Sequence, residues 1–214
     1  MKTAAFIDAS KLFYGGKKSL GWSIDYEKLL AYLKEKYGIE IAYYFGGVEI
    51  HRFPFDYLAH DSVPIEDLEK YLVKLTREKG KYMTDARLTL LDRHLRRVRF
   101  YLKLQKFGYK LILKPVKTYE DEEGNPIRKA NCDVDMAFRL TLDNGNFDRT
   151  IILSGDGDFL PVLKHLRKIG KEVLVMARGP RTAKEIKRFA GDKFLDFTRL
   201  QHLLARDEEE MKDL

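Results

Sequence analysis

Apolar residues recur along this chain in two periods, and the alternation between them predicts its architecture. Short apolar runs occur at Thr3–Ile7, Ile39–Phe45, Tyr109–Leu113, Thr150–Leu153 and Glu172–Met176. Runs of this length, bounded by Gly, Pro and polar residues, read as strands. Asp8 closes the first, Gly46-Gly47 the second and Pro115 the third. Lys193–Phe197 reads as a short sixth strand. Between the runs, apolar residues return at three- and four-residue spacing, as on one face of a helix. Leu29, Leu30 and Leu33 follow a cap at Ser23 or Asp25 and stop at Gly38. Met136, Ala137, Leu140 and Leu142 follow a start at Asn131 or Asp133. Phe159–Ile169 ends at Gly170, and Ala183–Ala190 follows. Thr198 is expected to cap a last helix that runs into Asp207-Glu208-Glu209-Glu210, an acidic, solvated end. Strands alternating with helices mean βαβ units, hence a mostly parallel sheet with right-handed crossovers.

Val48–Gly108 is too long for one connection. His51-Arg52-Phe53-Pro54-Phe55 reads as a loop. Ile65, Leu68, Leu72 and Leu75, then Leu88, Leu91, Leu95, Val98 and Leu102, follow the helical period on either side of Lys79-Gly80-Lys81. The expected result is an antiparallel hairpin of helices, Pro64–Lys79 and Thr84–Phe107, inserted at about residues 50–106 of a single domain spanning 1–214. Leu88, Leu91, Leu95 and Leu102 are expected inside. Arg96, Arg99, Lys103 and Lys106 share one face, flanked by Arg93 and Arg97; of these, Arg96, Arg99 and Lys103 are expected outside. Such a stripe can follow a nucleic-acid backbone, and RNA is its expected partner. It is also a surface through which a homodimer or protein partner could dock. Tyr101 and Phe100 read as core in preference to base-stacking groups, and Trp22 and His51 as ordinary loop residues. Thr118–Arg128, with Gly124-Asn125-Pro126, reads as an exposed loop or hairpin.

Composition narrows the classes. The 214 residues are 34% charged with a formal net charge of +7. That excludes a disordered polar chain and suits a polyanionic partner. Cys132 is the single cysteine, so no intramolecular disulfide forms and no Cys/His cluster supports structural zinc. No apolar run approaches membrane-spanning length, and the first residues lead into a strand and not a signal peptide, so a reducing cytoplasm is the expected location.

The chemistry concentrates at Ser154-Gly155-Asp156-Gly157-Asp158-Phe159, between a strand and a helix. Two carboxylates two residues apart at such a junction can point into one small volume, where Mg²⁺ or Mn²⁺ takes carboxylate oxygens and water. A turn with a helix cap is the plainer reading of the same residues. Asp8 also stands at a strand's carboxyl end, and Asp133 at the start of a helix. Ligands of parallel sheets bind beyond the carboxyl ends of the strands. If the first and fourth strands are neighbours, Asp8, Asp133, Asp156 and Asp158 converge. Four carboxylates in one cleft repel unless a cation neutralises them, and that is equipment for metal-assisted phosphodiester cleavage.

Phe6-Ile7-Asp8-Ala9-Ser10, Lys129 with Asp133-Val134-Asp135, and the SGDGDF segment resemble the NYN domain, in the LabA-like branch of the PIN-like nucleases. Gly170-Lys171-Glu172-Val173 and Asp192-Lys193-Phe194-Leu195-Asp196 extend the likeness. The resemblance implies a three-layer PIN-like (Rossmannoid) α/β fold with helices on both faces of the sheet. It implies a Mg²⁺- or Mn²⁺-dependent ribonuclease with Asp8, Asp133, Asp156 and Asp158 as catalytic metal ligands. Ser10, Ser154 and Lys129 would hold the shell or a phosphate. Asp135 adjoins that set without a fixed role.

Two positions depart from the family's pattern. Lys11 stands where Asn is common, and Arg139 where another Asp is common. A cation there competes with metal for the carboxylates, and even about 1.4 kcal/mol of repulsion weakens binding roughly tenfold. It could instead grip the substrate phosphate. The expectation is therefore weak metal affinity with RNA binding kept. The alternative is a catalytically weak or inactive domain that binds RNA or a protein through the insertion. Other acid-lined folds fit less well. Haloacid-dehalogenase-type phosphatases need Asp-x-Asp after the first strand, topoisomerase-primase domains a Glu there, and integrin-type sites a further Ser.

Overall fold

The computed structural model describes residues 1–10, 21–120, 123 and 126–207. Its main sheet has six strands in the order β3-β2-β1-β6-β7-β8. These are β1 (Thr3–Asp8), β2 (Ile39–Val48), β3 (Tyr109–Pro115), β6 (Arg149–Leu153), β7 (Glu172–Ala177) and β8 (Phe194–Asp196). β1 lies parallel to both β2 and β6, and β6–β7 and β7–β8 are parallel too. The chain winds outward from β1 in one direction and from β6 in the other, so the order reverses between these two strands. Right-handed crossovers then send the helices of the two halves to opposite faces and leave a crevice at the β1/β6 carboxyl ends. Asp8 and Ser154 follow directly on the paired residues Ile7 and Leu153.

Chain contacts divide the protein into two compact units, Met1–Phe45 with Asp133–Leu214, and Gly46–Cys132. In the first, every residue of β1 is buried. Phe6 stacks on Tyr43 at 5.0 Å and meets Phe147 edge-on at 5.7 Å. Helix α1 (Tyr26–Tyr37) is capped by Asp25, whose carboxylate accepts from the Glu27 and Lys28 amides. It buries Leu29, Leu30 and Leu33 and ends on Gly38 in the left-handed region, as its spacing predicts. Trp22 is a core residue here, stacked on Phe197 at 5.7 Å. The Thr198 cap does not form. Asp196 caps a short 3₁₀ turn (Phe197–Leu200), and the helix after it spans only Gln201–Leu204.

In the second unit, α2 (Ile65–Lys79) and α3 (Asp85–Phe107) are joined through a 3₁₀ turn at Gly80–Tyr82, within a residue of expectation. The buried side of α3 is Leu91, Val98, Tyr101 and Leu104. Leu88, Leu95 and Leu102 are only half-buried, because the stripe that faces inward is turned toward the positions of Val98 and Leu104. Buried Tyr101 donates its hydroxyl hydrogen to the Gly47 carbonyl at 2.8 Å. β2 does not stop at Gly46-Gly47 but runs through them to Val48. A Cβ at Gly47 would stand 2.5 Å from the Ala130 Cβ, so this glycine admits a neighbouring segment instead of ending the strand. β4 (Lys117–Glu120) and β5 (Pro126–Lys129) form an antiparallel hairpin where the sequence predicts a loop or hairpin.

Candidate metal and nucleic-acid site

Three of the four expected acids converge. Asp133 is the first residue of α4 (Asp133–Leu142). Asp156 caps the 3₁₀ turn Gly157–Phe159, its Oδ1 accepting from the Asp158 amide at 3.1 Å. Asp158 sits within that turn, just before α5 (Leu160–Lys168) with Pro161 in its first turn. One carboxylate oxygen from each can lie within 4.8 Å of the other two. Asp133 and Asp156 are half-buried and Asp158 is exposed, which combines a shaped site with an open approach. An all-carboxylate set of this kind fits a hard divalent cation with water completing its shell.

Asp8 stands outside this triad. It is 3% exposed, and its oxygens are occupied. Oδ1 accepts from the Ser10 amide at 2.9 Å and the Ser10 hydroxyl at 2.6 Å. Oδ2 accepts from the Ser154 hydroxyl at 3.1 Å, and Ser154 Oγ in turn accepts from the Asp156 amide at 3.3 Å. Asp8 is thus linked through Ser154 to the backbone that presents Asp156. Sequence reasoning placed Asp8 with the acids by its strand end; the two serines, expected to hold the shell or a phosphate, turn inward onto it. Asp135 is half-buried and is not in the triad among the described residues.

Arg139 pairs with Asp143 one turn on, at 3.8 Å, and lies over the Tyr43 ring. Tyr43 donates to the same Asp143 carboxylate at 2.7 Å, and burial together with that bond pushes its pKa up to about 12. Asp143 therefore offsets part of the Arg139 charge that the sequence sets against a metal. Lys11 lies outside the described residues, and Lys129 is the last residue of β5, opposite Lys117. Leu142, expected in the core of α4, is 58% exposed in line with Val134 and Phe138.

The wall facing the SGDGDF loop was missed. A Cβ at Gly155 would stand 2.7 Å from Thr182 Oγ1 and 3.0 Å from the Thr182 Cα, and the Ala183 amide donates to the Gly155 carbonyl at 2.9 Å. Only glycine permits this approach. The apposed segment runs from the end of β7 through Arg178, Arg181 and Lys184 into α6 (Lys184–Ala190). Its signal was legible: Arg178-Gly179-Pro180-Arg181 directly follows a strand's carboxyl end. Asp196 braces the segment, accepting from the Gly179 amide at 3.1 Å and from Thr198 at both amide and hydroxyl.

Desolvation raises the Asp196 pKa, but the Gly179 and Thr198 hydrogen bonds outweigh it and the net shift is downward. A depressed carboxylate contributes stability that is present above its unfolded pKa of about 3.9 and is lost as pH falls through its lower folded value. Asp196→Asn is therefore expected to lower the melting temperature at pH 7 and to flatten its decline between about pH 4 and pH 3. Melting curves from pH 7 to 3 that superimpose, apart from a constant offset, would contradict this.

On the insertion, Arg96, Arg99 and Lys103 are exposed as expected. Arg96 pairs with Asp92 at 2.7 Å and Arg99 with Glu69 at 3.1 Å, so two of the three charges have acidic neighbours. His51 is not an ordinary loop residue. Its φ is +45°, its ring nitrogen contacts that of His94, and its carbonyl accepts from Tyr71. No local spacing reveals a pair 43 residues apart.

Residues 91–201 match the NYN domain family, more than half of the chain. The chain is 24% identical over 211 residues to the low amplitude and bright protein LabA of Synechococcus elongatus, covering 97% of this chain and 89% of that one. It is also similar in structure to VPA0982 of Vibrio parahaemolyticus, with a TM-score of 0.59 at 16% identity and 91% of each chain covered. Among the described residues no helix is long and apolar enough to cross a membrane. With its SGDGDF loop, its acidic triad at the β1/β6 crevice and this match, the chain belongs to the NYN domain family, within the PIN-like nuclease superfamily.

Proposed function

We propose that this chain is a divalent-cation-dependent ribonuclease. The observation that carries the reading is the grouping of Asp133, Asp156 and Asp158 at the sheet's topological switch point. Carboxylates held within 4.8 Å of one another favour a bound cation, because each pair repels without one. Membership of a nuclease superfamily supports a nucleic-acid substrate. In this reading Asp133, Asp156 and Asp158 hold Mg²⁺ or Mn²⁺, which when bound supplies an activated water and neutralises charge on the phosphate. Asp8 and Ser154 keep the Asp156 loop in place. Lys103, with Arg96 and Arg99, offers RNA a further basic surface on the helical insertion, an accessory to a single nuclease domain.

A second reading keeps RNA binding but not turnover. It is favoured by Arg139, a cation on the helix that begins with Asp133. One assay separates the two. Labelled single-stranded RNA is incubated with the protein in Mn²⁺, Mg²⁺ or EDTA, beside Asp158→Asn. Cleavage with either metal, none in EDTA, and a loss of about a hundredfold or more in the variant are expected. Cleavage unchanged by the substitution would defeat the nuclease proposal. RNA bound but uncut in both metals would leave the second reading.

A further inference from the structure

A cavity of about 700 Å³ opens beside the triad, within the first unit. Its lining includes Ser10, Ser154 and Asp156 and, from the segment apposed to the SGDGDF loop, Arg178, Arg181 and Lys184. We propose that this cavity is a nucleotide subsite in which Arg178, Arg181 and Lys184 grip a substrate phosphate next to the one that reacts. The proposal rests on the nuclease reading for its substrate class, and the residues it names were assigned no part in that reading.

The volume has room for a nucleotide, and Leu153 and Ala177 add apolar lining. Charge across the cavity is divided, acid on the side of the SGDGDF loop and base on the other. A ligand that spans it must reach cation-bound carboxylates with one group and place an anion among the guanidinium and ammonium groups with another. A strand of phosphodiesters does both, since adjacent phosphates lie on one flexible backbone. Burial and the Arg181 charge hold the Arg178 pKa below its ordinary value, while Asp196 acts the other way. Two guanidiniums that sense each other are brought together favourably by an anion between them, and guanidinium binds phosphate oxygens bidentately. Two groups oppose the anion: Asp196, engaged by Gly179 and Thr198, and Glu185, whose carboxylate rests beside Gly157. They leave three basic side chains facing one cavity. Arg181 and Lys184 are exposed, whereas Thr182 between them is buried and its hydroxyl donates to the Arg178 carbonyl at 2.7 Å. That division suits a rigid base carrying adjustable cations.

The occupant is either an internal phosphodiester or a terminal 5′-phosphate, and the test separates them. Binding of 3′-labelled single-stranded RNA, with a 5′-phosphate or a 5′-hydroxyl, is followed by fluorescence anisotropy in EDTA, so that metal plays no part. The double variant Arg181→Ala with Lys184→Ala is expected to bind at least tenfold more weakly. Its salt dependence should fall by roughly 0.7 in slope for each lost contact. Arg188→Ala, on the helix that begins with Lys184 but outside the cavity, is expected to change affinity less than about twofold. A loss confined to the 5′-phosphorylated RNA assigns the terminal phosphate; an equal loss for both assigns the internal diester. Wild-type affinity and slope in the double variant would overturn the subsite, as would no binding of either RNA by the unmodified protein. A loss no larger than that of Arg188→Ala would reduce it to general surface charge and overturn it too. If the unmodified protein binds RNA without ever cutting it, while the double variant loses binding, the subsite stands and the nuclease reading falls.

Discussion

Asp156→Asn is expected to raise the melting temperature of the metal-free protein by about 2–4 °C and to abolish the further rise that Mn²⁺ gives the unmodified chain. The first effect follows from repulsion. Asp133, Asp156 and Asp158 can bring oxygens within 4.8 Å of one another. At that separation and an effective dielectric near 20, each pair of full charges repels by about 3 kcal/mol before screening. Asp158 is exposed, so water and salt leave about 1 kcal/mol for the site as a whole. Asn removes one charge yet keeps the oxygen that accepts from the Asp158 amide, so the turn's cap is retained. The second effect is linkage. Metal at a hundred times its Kd stabilises by about 2.7 kcal/mol, and two carboxylates in place of three bind it far more weakly. Scanning calorimetry in EDTA and in Mn²⁺ measures both. A variant that melts lower in EDTA and still responds to Mn²⁺ would show that the three acids do not form one site.

The strands were legible because each combines a short apolar run with a punctuating Gly, Pro or acid. The acids of the triad were legible because position along a strand or helix fixes which end of the sheet a residue occupies. Asp133, Asp156 and Asp158 follow from that rule alone. What the sequence hides is the direction of a side chain once its element is in place. Asp8 shares the strand-end position but turns onto Ser10 and Ser154. Leu88, Leu95 and Leu102 share a helical period with Leu91, yet a small rotation of α3 gives the interior to Val98, Tyr101 and Leu104. Periodicity admits several adjacent stripes, and packing chooses among them. The cationic wall went unseen for a different reason. Arg178, Arg181 and Lys184 lie 19 to 25 residues after the SGDGDF loop, and only the adjacency of β6 and β7 brings them beside it. The His51–His94 contact is hidden in the same way. It depends on how a loop with two residues at positive φ meets a helix, which no local pattern encodes.

Asp8 is expected to separate two roles that one acid could fill. If it orients the loop, Asp8→Asn weakens Mn²⁺ binding by about tenfold but leaves cleavage at saturating Mn²⁺ within a few-fold of the unmodified rate, the size of effect seen when a residue supporting a metal's ligands is changed. The geometry permits this. The Asn oxygen can continue to accept from the Ser10 amide and hydroxyl, while its amide donates to Ser154 Oγ, a hydroxyl that can reverse its role. The linkage from Ser154 to the Asp156 amide then persists, and only a nearby negative charge is lost. Asp8→Ala has no such escape. It strips the acceptor from three donors in a place that is 3% exposed, and each buried donor left unsatisfied costs about 1–3 kcal/mol. The expected loss is about 3 kcal/mol, or roughly 6–12 °C in melting temperature for a chain of this length. Cleavage at saturating metal should fall with it, as the Asp156 loop loses its anchor. The deciding measurement is the rate against Mn²⁺ concentration for Asp8→Asn and Asp158→Asn together. Recovery at high metal by the first and not the second places Asp8 behind the ligands. If neither recovers, Asp8 is itself a ligand, and the serines that now hold it must release it when metal binds.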